Sequence, residues 1–190
     1  MNGSVLMQER GGARGAVLPD YLGDKLRVVF CGTAASTASA RRDHYYAGPG
    51  NELWPVLLRA GLVNEPLMWR DDSRVLQFGI GLTDLAKRVA SSSDVGLDSH
   101  YDVARFIQKM ATYSPRWVAF HGKSASRVVA SYLGFGADVR LGKQHWRVAG
   151  RPVFVVPSMS GSNRSTNHLD GLPTRLAWFE ALRDVLASEP

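Results

Sequence analysis

The run Leu26-Arg-Val-Val-Phe-Cys-Gly-Thr-Ala-Ala-Ser36 constrains this chain most. Leu26 to Cys31 is an apolar, β-branched stretch that reads as a buried strand. It breaks at Gly32 into small residues that let a backbone approach a ligand. In an alternating α/β chain, the crevice outside the carboxyl end of a central strand is where ligands bind. The rest of the sequence is therefore read for what could surround that crevice.

Further apolar runs alternate with helical periodicity. After an approach over Val17 to Asp24 and a loop from Thr33 to Gly50, Leu53 to Ala60 reads as a helix stopped by Gly61. Asn64 to Gln77 is charged and ends in a short helix. Phe78-Gly-Ile-Gly-Leu-Thr-Asp-Leu85 reads as a Gly-spaced turn entering a helix over Leu85 to Val89, with Ser91 to Asp94 mobile after it. Tyr101 to Tyr113 places Val103, Phe106, Ile107 and Met110 on one helical face. Trp117 to Phe120 reads as a second buried strand, turned by His121-Gly122-Lys123 into a helix from Ser124 to Tyr132. Trp146 to Val148 and Pro152 to Val156 read as strands joined at Gly150, and Thr174 to Ala187 as a last helix. This order predicts an α/β fold: a single-domain, three-layer α/β/α sandwich with a mostly parallel sheet. The Gly-marked turns are expected on one edge of the sheet.

At 190 residues the chain suits one domain, here 17–190, preceded by a Gly-rich polar stretch, 1–16, expected to be disordered. That stretch lacks the apolar core of a secretory signal, and no apolar run reaches the ~20 residues of a membrane helix. No membrane partner is expected, and the expected location is cytoplasmic, with the nucleoid implied in a prokaryote. The single cysteine, Cys31, excludes an internal disulfide and a Cys-ligated cluster. His121 and His168 have no metal-ligand spacing, so neither metal nor cofactor is expected. The net charge of +6 fits a polyanionic partner but equally an ordinary well-solvated surface.

Gly32-Thr33-Ala34-Ala35-Ser36 is neither a dinucleotide fingerprint nor a P-loop. Its backbone groups suit a flat hydrogen-bonding ligand such as a base, or simply make a strand-to-loop turn. Tyr45-Tyr46 beside Arg41 and Arg42 offers stacking surface with charge, and at least one of the two rings is expected in the core. Asp84 reads as a helix-capping carboxylate or as one poised to orient a water. Lys123 and Arg164 are phosphate contacts or solvated cations.

Together these segments resemble the uracil-DNA glycosylase superfamily, within it the mismatch-specific uracil-DNA and thymine-DNA glycosylase branch. Leu26 to Gly32 is similar to that branch's first strand, which ends in Gly-Ile-Asn-Pro-Gly. Pro49-Gly-Asn-Glu-Leu-Trp54 is similar to its Pro-x-Asn-x-Phe-Trp motif, and Gly81-Leu-Thr-Asp-Leu85 to its Gly-Val-Thr-Lys-Leu turn. Phe120-His-Gly-Lys123 resembles its strand-then-Gly-Lys turn, and Pro157 to Arg164 its Leu-Pro-Asn-Pro-Ser-Gly-Leu-Ser-Arg motif.

The resemblance implies a monofunctional DNA glycosylase that flips uracil out of duplex or single-stranded DNA and initiates base excision repair as a monomer. The branch's catalytic Asn falls on Ala34, which cannot take the role, and its Lys falls on Asp84, which is expected to be catalytic. Gly32, Thr33, Ala34, Ser36, Tyr46 and Ser158 are implied at the base. Lys123, Ser160, Gly161, Ser162, Asn163 and Arg164 are implied at the DNA. The branch's wedging Leu falls on Ser162, too small for the vacated space, which leaves Met159, Asn163, Arg164 or the loop to Pro173 to fill it. No lysine is placed for Schiff-base chemistry, so no strand cleavage is expected. The loss at Ala34 also keeps open a non-catalytic protein that binds damaged or abasic DNA, and an enzyme acting on a free nucleotide or another small molecule.

Overall fold

The computed structural model describes residues 15–161 and 169–188. Five strands form one sheet in the order β2-β1-β3-β5-β4, with β1 Val28–Ala35, β2 Ile80–Ala90, β3 Trp117–His121, β4 Gly142–Val148 and β5 Arg151–Val156. The first four in that order run parallel, and β4 closes the far edge antiparallel to β5. The helices are α1 Thr37–Arg42, α2 Leu53–Arg59, α3 Val103–Tyr113, α4 Lys123–Tyr132 and α5 Arg175–Ser188, with 3-10 helices over Trp69–Phe78 and Asp98–His100. This is the expected α/β sandwich with a mostly parallel sheet.

The layers follow from strand periodicity. Neighbours along a strand point to opposite faces, so Phe30 and Cys31 serve different layers. Phe30 stacks on Phe179 of α5, with ring centroids 6.1 Å apart. Phe120, the register partner of Cys31, meets Phe106 of α3 at 5.7 Å. α5 packs with α2, and α3 with α4, so each pair covers one side. Buried on both sides, β1, β3 and β5 carry the near-continuous apolar runs of a parallel sheet.

The sequence expectation fails at Phe78 to Val89. Ile80–Ala90 is a strand, not a turn and helix, and it pairs in register with β1 from Val28↔Ile80 to Ala34↔Ala86. Ile80 to Ala86 are all buried. A run covered on both faces has no polar stripe, so its spacing does not separate strand from helix. Gly79 and Gly81 consequently mark the start of β2, at the opposite edge from Gly32. Gly79 caps the 3-10 helix with φ +67°. A Cβ at Gly81 would lie 2.8 Å from Leu26 and 2.9 Å from the Tyr21 carbonyl, so this glycine serves close packing.

Smaller differences bear on the site. β1 runs on to Ala35, and the expected loop after it contains α1. β4 begins at Gly142, earlier than Trp146. The outer edge of β2 is covered by the amino-terminal approach, where Tyr21 and Leu82 exchange backbone hydrogen bonds and Val17 N–H donates to the Lys87 carbonyl. Covering an edge in this way removes a template for unwanted strand pairing.

Candidate active site

β1 pairs with β3 only as far as Cys31↔Phe120, whereas its pairing with β2 continues to the end of the strand. The two-stranded extension beyond β3 forms one wall of a cleft of about 660 Å³. The opposite wall comes from Tyr45 to Asn51, the turn His121 to Ser124 and the loop Pro157 to Gly161, which meet at the carboxyl edge of the sheet.

Asp84 sits on the cleft floor. It is the register partner of Gly32, so the two residues face the same side of the sheet. A Cβ on Gly32 would lie 2.6 Å from Asp84 Oδ1, and only glycine leaves that space to the carboxylate. Asp84 is 5% exposed and accepts a hydrogen bond from the Gly32 backbone. Burial raises its pKa to about 6, and the nearby Asp20 adds to the rise, while Lys87, Lys109 and the Gly32 hydrogen bond oppose it. A carboxylate poised near neutrality is suited to taking a proton from water. Asp84 is thus a mid-strand residue and caps no helix. The expected capping role is overturned because β2 continues through it.

Tyr45 and Tyr46 diverge, as anticipated for one core ring and one at the site. Tyr45 is buried, and its hydroxyl accepts a 2.8 Å hydrogen bond from Lys87 Nζ. Tyr46 has φ +50°, a left-handed conformation costly for a side chain of its size. The neighbouring backbone is tied on both sides. Tyr45 N–H donates to Asp72, Ala47 N–H donates to Ser39 Oγ, and the Arg42 guanidinium donates to the Ala47 carbonyl. Tyr46 meets the His121 ring edge-on at 4.8 Å, and its hydroxyl oxygen is buried without a hydrogen-bond partner.

His121 is the site residue that sequence reasoning passed over, having been weighed only as a metal ligand. Its position at the end of an apolar strand and before Gly-Lys was the available signal. Met159 N–H donates to Nε2 at 3.1 Å, so the ring proton belongs on Nδ1. Burial, aided by Arg175, lowers its pKa to about 3, and the ring is neutral at physiological pH. Arg175 at the start of α5 and Arg127 of α4 also line the cleft, and neither stands in a motif that would have marked it.

The loop at Pro157 to Gly161 is stapled in place. Glu52 N–H donates to the Met159 carbonyl, and a Cβ on Gly161 would lie 2.6 Å from the Pro49 carbonyl. Two motifs distant in sequence therefore touch through backbone.

The structure brings Gly32, Thr33, Ala34, Ser36, Tyr46, Asp84, Lys123, Ser158, Ser160 and Gly161 to one cleft. Their side chains are not all free for a ligand. Thr33 Oγ1 donates to Asp94 at 2.8 Å, and Ser36 caps α1 by accepting from Ser39 N–H. Lys123 pairs with Asp170 at 2.6 Å. Ala34 presents no polar group. Ser162, Asn163 and Arg164 lie outside the described residues. Met159 is fully buried, which removes it as the wedge. Among the described residues, no group of three or more His, Cys, Asp or Glu side chains is placed to hold a metal ion, and no helix is long and apolar enough to cross a membrane.

The family model for the uracil DNA glycosylase superfamily matches residues 19–186. A solution NMR structure of a candidate uracil DNA glycosylase from Methanosarcina acetivorans has a similar fold, with a TM-score of 0.53 at 21% identity. The match covers 90% of this chain and 96% of that one.

Proposed function

The chain belongs to the uracil DNA glycosylase superfamily, and on that premise we propose that it hydrolyses the bond between uracil and deoxyribose in DNA. The five motifs, in the order and approximate spacing of the mismatch-specific branch, support a place near that branch. The observation that carries the reading is the Asp84 carboxylate lying against Gly32 on the floor of the cleft, beside Tyr46.

A target base inside a duplex must first be rotated out, which costs a few kcal/mol and least at a mismatch. The base then lies against Tyr46 and the backbone of Gly32 to Ser36. As the glycosidic bond breaks, positive charge grows on the sugar and negative charge on the base. Backbone donors at the end of β1, beyond its pairing with β3, and of Ser36, assisted by Ser158, stabilise the base anion. Asp84 stabilises the sugar cation and takes the proton of the attacking water. Ala34 supplies nothing at the position of the branch's Asn, so the acid–base work falls to the opposite strand. Neutral His121 orients the last-motif loop through Met159 and borders the base pocket without adding a charge.

The test is single-turnover release of uracil from duplex and single-stranded oligonucleotides. Asp84→Asn lowers the rate by ~100-fold or more, the scale of a lost general base, and leaves DNA binding intact. Below about pH 6 the wild-type rate falls about tenfold per pH unit, because the base is then protonated. A variant as active as the wild type removes Asp84 from the mechanism. Binding of abasic or uracil-containing DNA with no base release by the wild type supports a non-catalytic scaffold instead.

A further inference from the structure

We propose that the Tyr46 hydroxyl, as well as its ring, belongs to the catalytic apparatus and holds the attacking water jointly with Asp84 over Gly32. The inference rests on the glycosylase reading above.

The position of a Cβ that Gly32 lacks lies 2.6 Å from Asp84 Oδ1 and 3.8 Å from the Tyr46 hydroxyl oxygen. Both oxygens thus border one small space above a residue with no side chain. They are not hydrogen-bonded to each other, and the hydroxyl has no partner elsewhere. A buried hydroxyl left unpaired is destabilising, and so is the left-handed backbone that carries it. Such expense is what a site accepts when a third group completes it. A gap between an unpartnered hydroxyl and a carboxylate, which can accept more than the one Gly32 hydrogen bond, suits one water at hydrogen-bond distance, roughly 2.8 Å, from both.

The chemistry favours the same assignment. Burial and the nearby Asp84 carboxylate hold the Tyr46 phenol well above pH 10, so it remains a neutral hydroxyl. A water in the gap gives one hydrogen to Asp84 and the other to the Tyr46 oxygen, which leaves a lone pair for C1′ of the sugar. As the new C–O bond forms, the C1′–N bond breaks and its electron pair leaves with the base. The water's proton passes to Asp84.

Tyr46→Phe is the test, since it keeps the ring and removes only the hydroxyl. The expected result is a fall of ~10-fold or more in single-turnover base release. Affinity for uracil-containing duplex stays within twofold, and the melting temperature stays close to the wild type's, because the ring and its packing are kept. Asp84→Asn with Tyr46→Phe should lose less than the product of the single losses, as for groups acting on one water. If Tyr46→Phe melts lower than the wild type, that non-additivity decides, and independent losses overturn the assignment. A wild-type rate in Tyr46→Phe overturns the hydroxyl's role and leaves the glycosylase reading standing. A wild-type protein that releases no base overturns both.

Discussion

Gly32 and Asp84 face each other across β1 and β2, and their pairing carries an energetic cost. The folded protein raises the Asp84 pKa from 3.8 to about 6. The native state therefore binds this proton more tightly than the unfolded chain does. The stability contributed by the protonated form is complete below pH 3.8 and lost as pH rises through 6. At pH 7.5 the buried charge costs on the order of 2–3 kcal/mol. Asp84→Asn should therefore raise the urea midpoint at pH 7.5 and give little change near pH 4. A midpoint shift independent of pH would show that burial of the ionised carboxylate is not what the fold resists. The same substitution is expected to cost activity, the usual trade between a stable site and a working one.

At the scale of elements, three segments meet around β2. Asp20 of the amino-terminal approach binds Lys87 of β2 at 2.9 Å and Lys109 of α3 at 2.5 Å, and it accepts from Thr83 Oγ1 at 2.7 Å. Lys87 also holds the Tyr45 hydroxyl. These groups lie 10–14% exposed, where charges interact strongly enough to reach Asp84. The groups influencing or influenced by Asp84 are Asp20, Lys87, Lys109, Cys31, Tyr45 and Tyr46. Lys87 opposes the rise in the Asp84 pKa, so Lys87→Met should move the acid limb of the rate profile to higher pH. A uniform loss of rate at every pH would instead mean that Lys87 only supports the fold. The partnership was hidden in the sequence, because Asp20 and Lys109 are 89 positions apart.

Across the whole molecule, a net charge of +6 becomes functional only where the fold gathers it. Lys123, Arg127 and Arg175 come from two helices and line one cleft. If these three contact phosphates, affinity for duplex DNA should fall ~40-fold between 50 and 200 mM salt, measured by anisotropy titration. A salt-independent affinity would argue for a small-molecule substrate. Lys123 must exchange Asp170 for phosphate to take part, and its contribution is correspondingly smaller than that of an unpaired cation.

The strand starting near Leu26 is legible because its apolar run is local, whereas its continuation through Gly32 to Ala35 and helix α1 after it are not, since small residues carry no strand or helix signal. Apolar runs, helical periodicity and glycine stops needed only near neighbours to be read, and they sufficed for the α/β class and for most helices. β2 was not legible, because a strand buried on both faces has no alternation and its identity depends on pairing with β1. That pairing decides where Asp84 lies. The sequence, through its resemblance to the superfamily, made Asp84 the expected catalytic residue and left Ala34 without the side chain for that role. Tertiary structure moved the carboxylate from a helix cap to the floor of the cleft, placed it against Gly32, where no side chain intervenes, and set an unpaired tyrosine hydroxyl beside it. The physical reason is distance. Asp84 lies 52 positions from Gly32 and 38 from Tyr46, and only strand register and the left-handed turn at Tyr46 bring the three together.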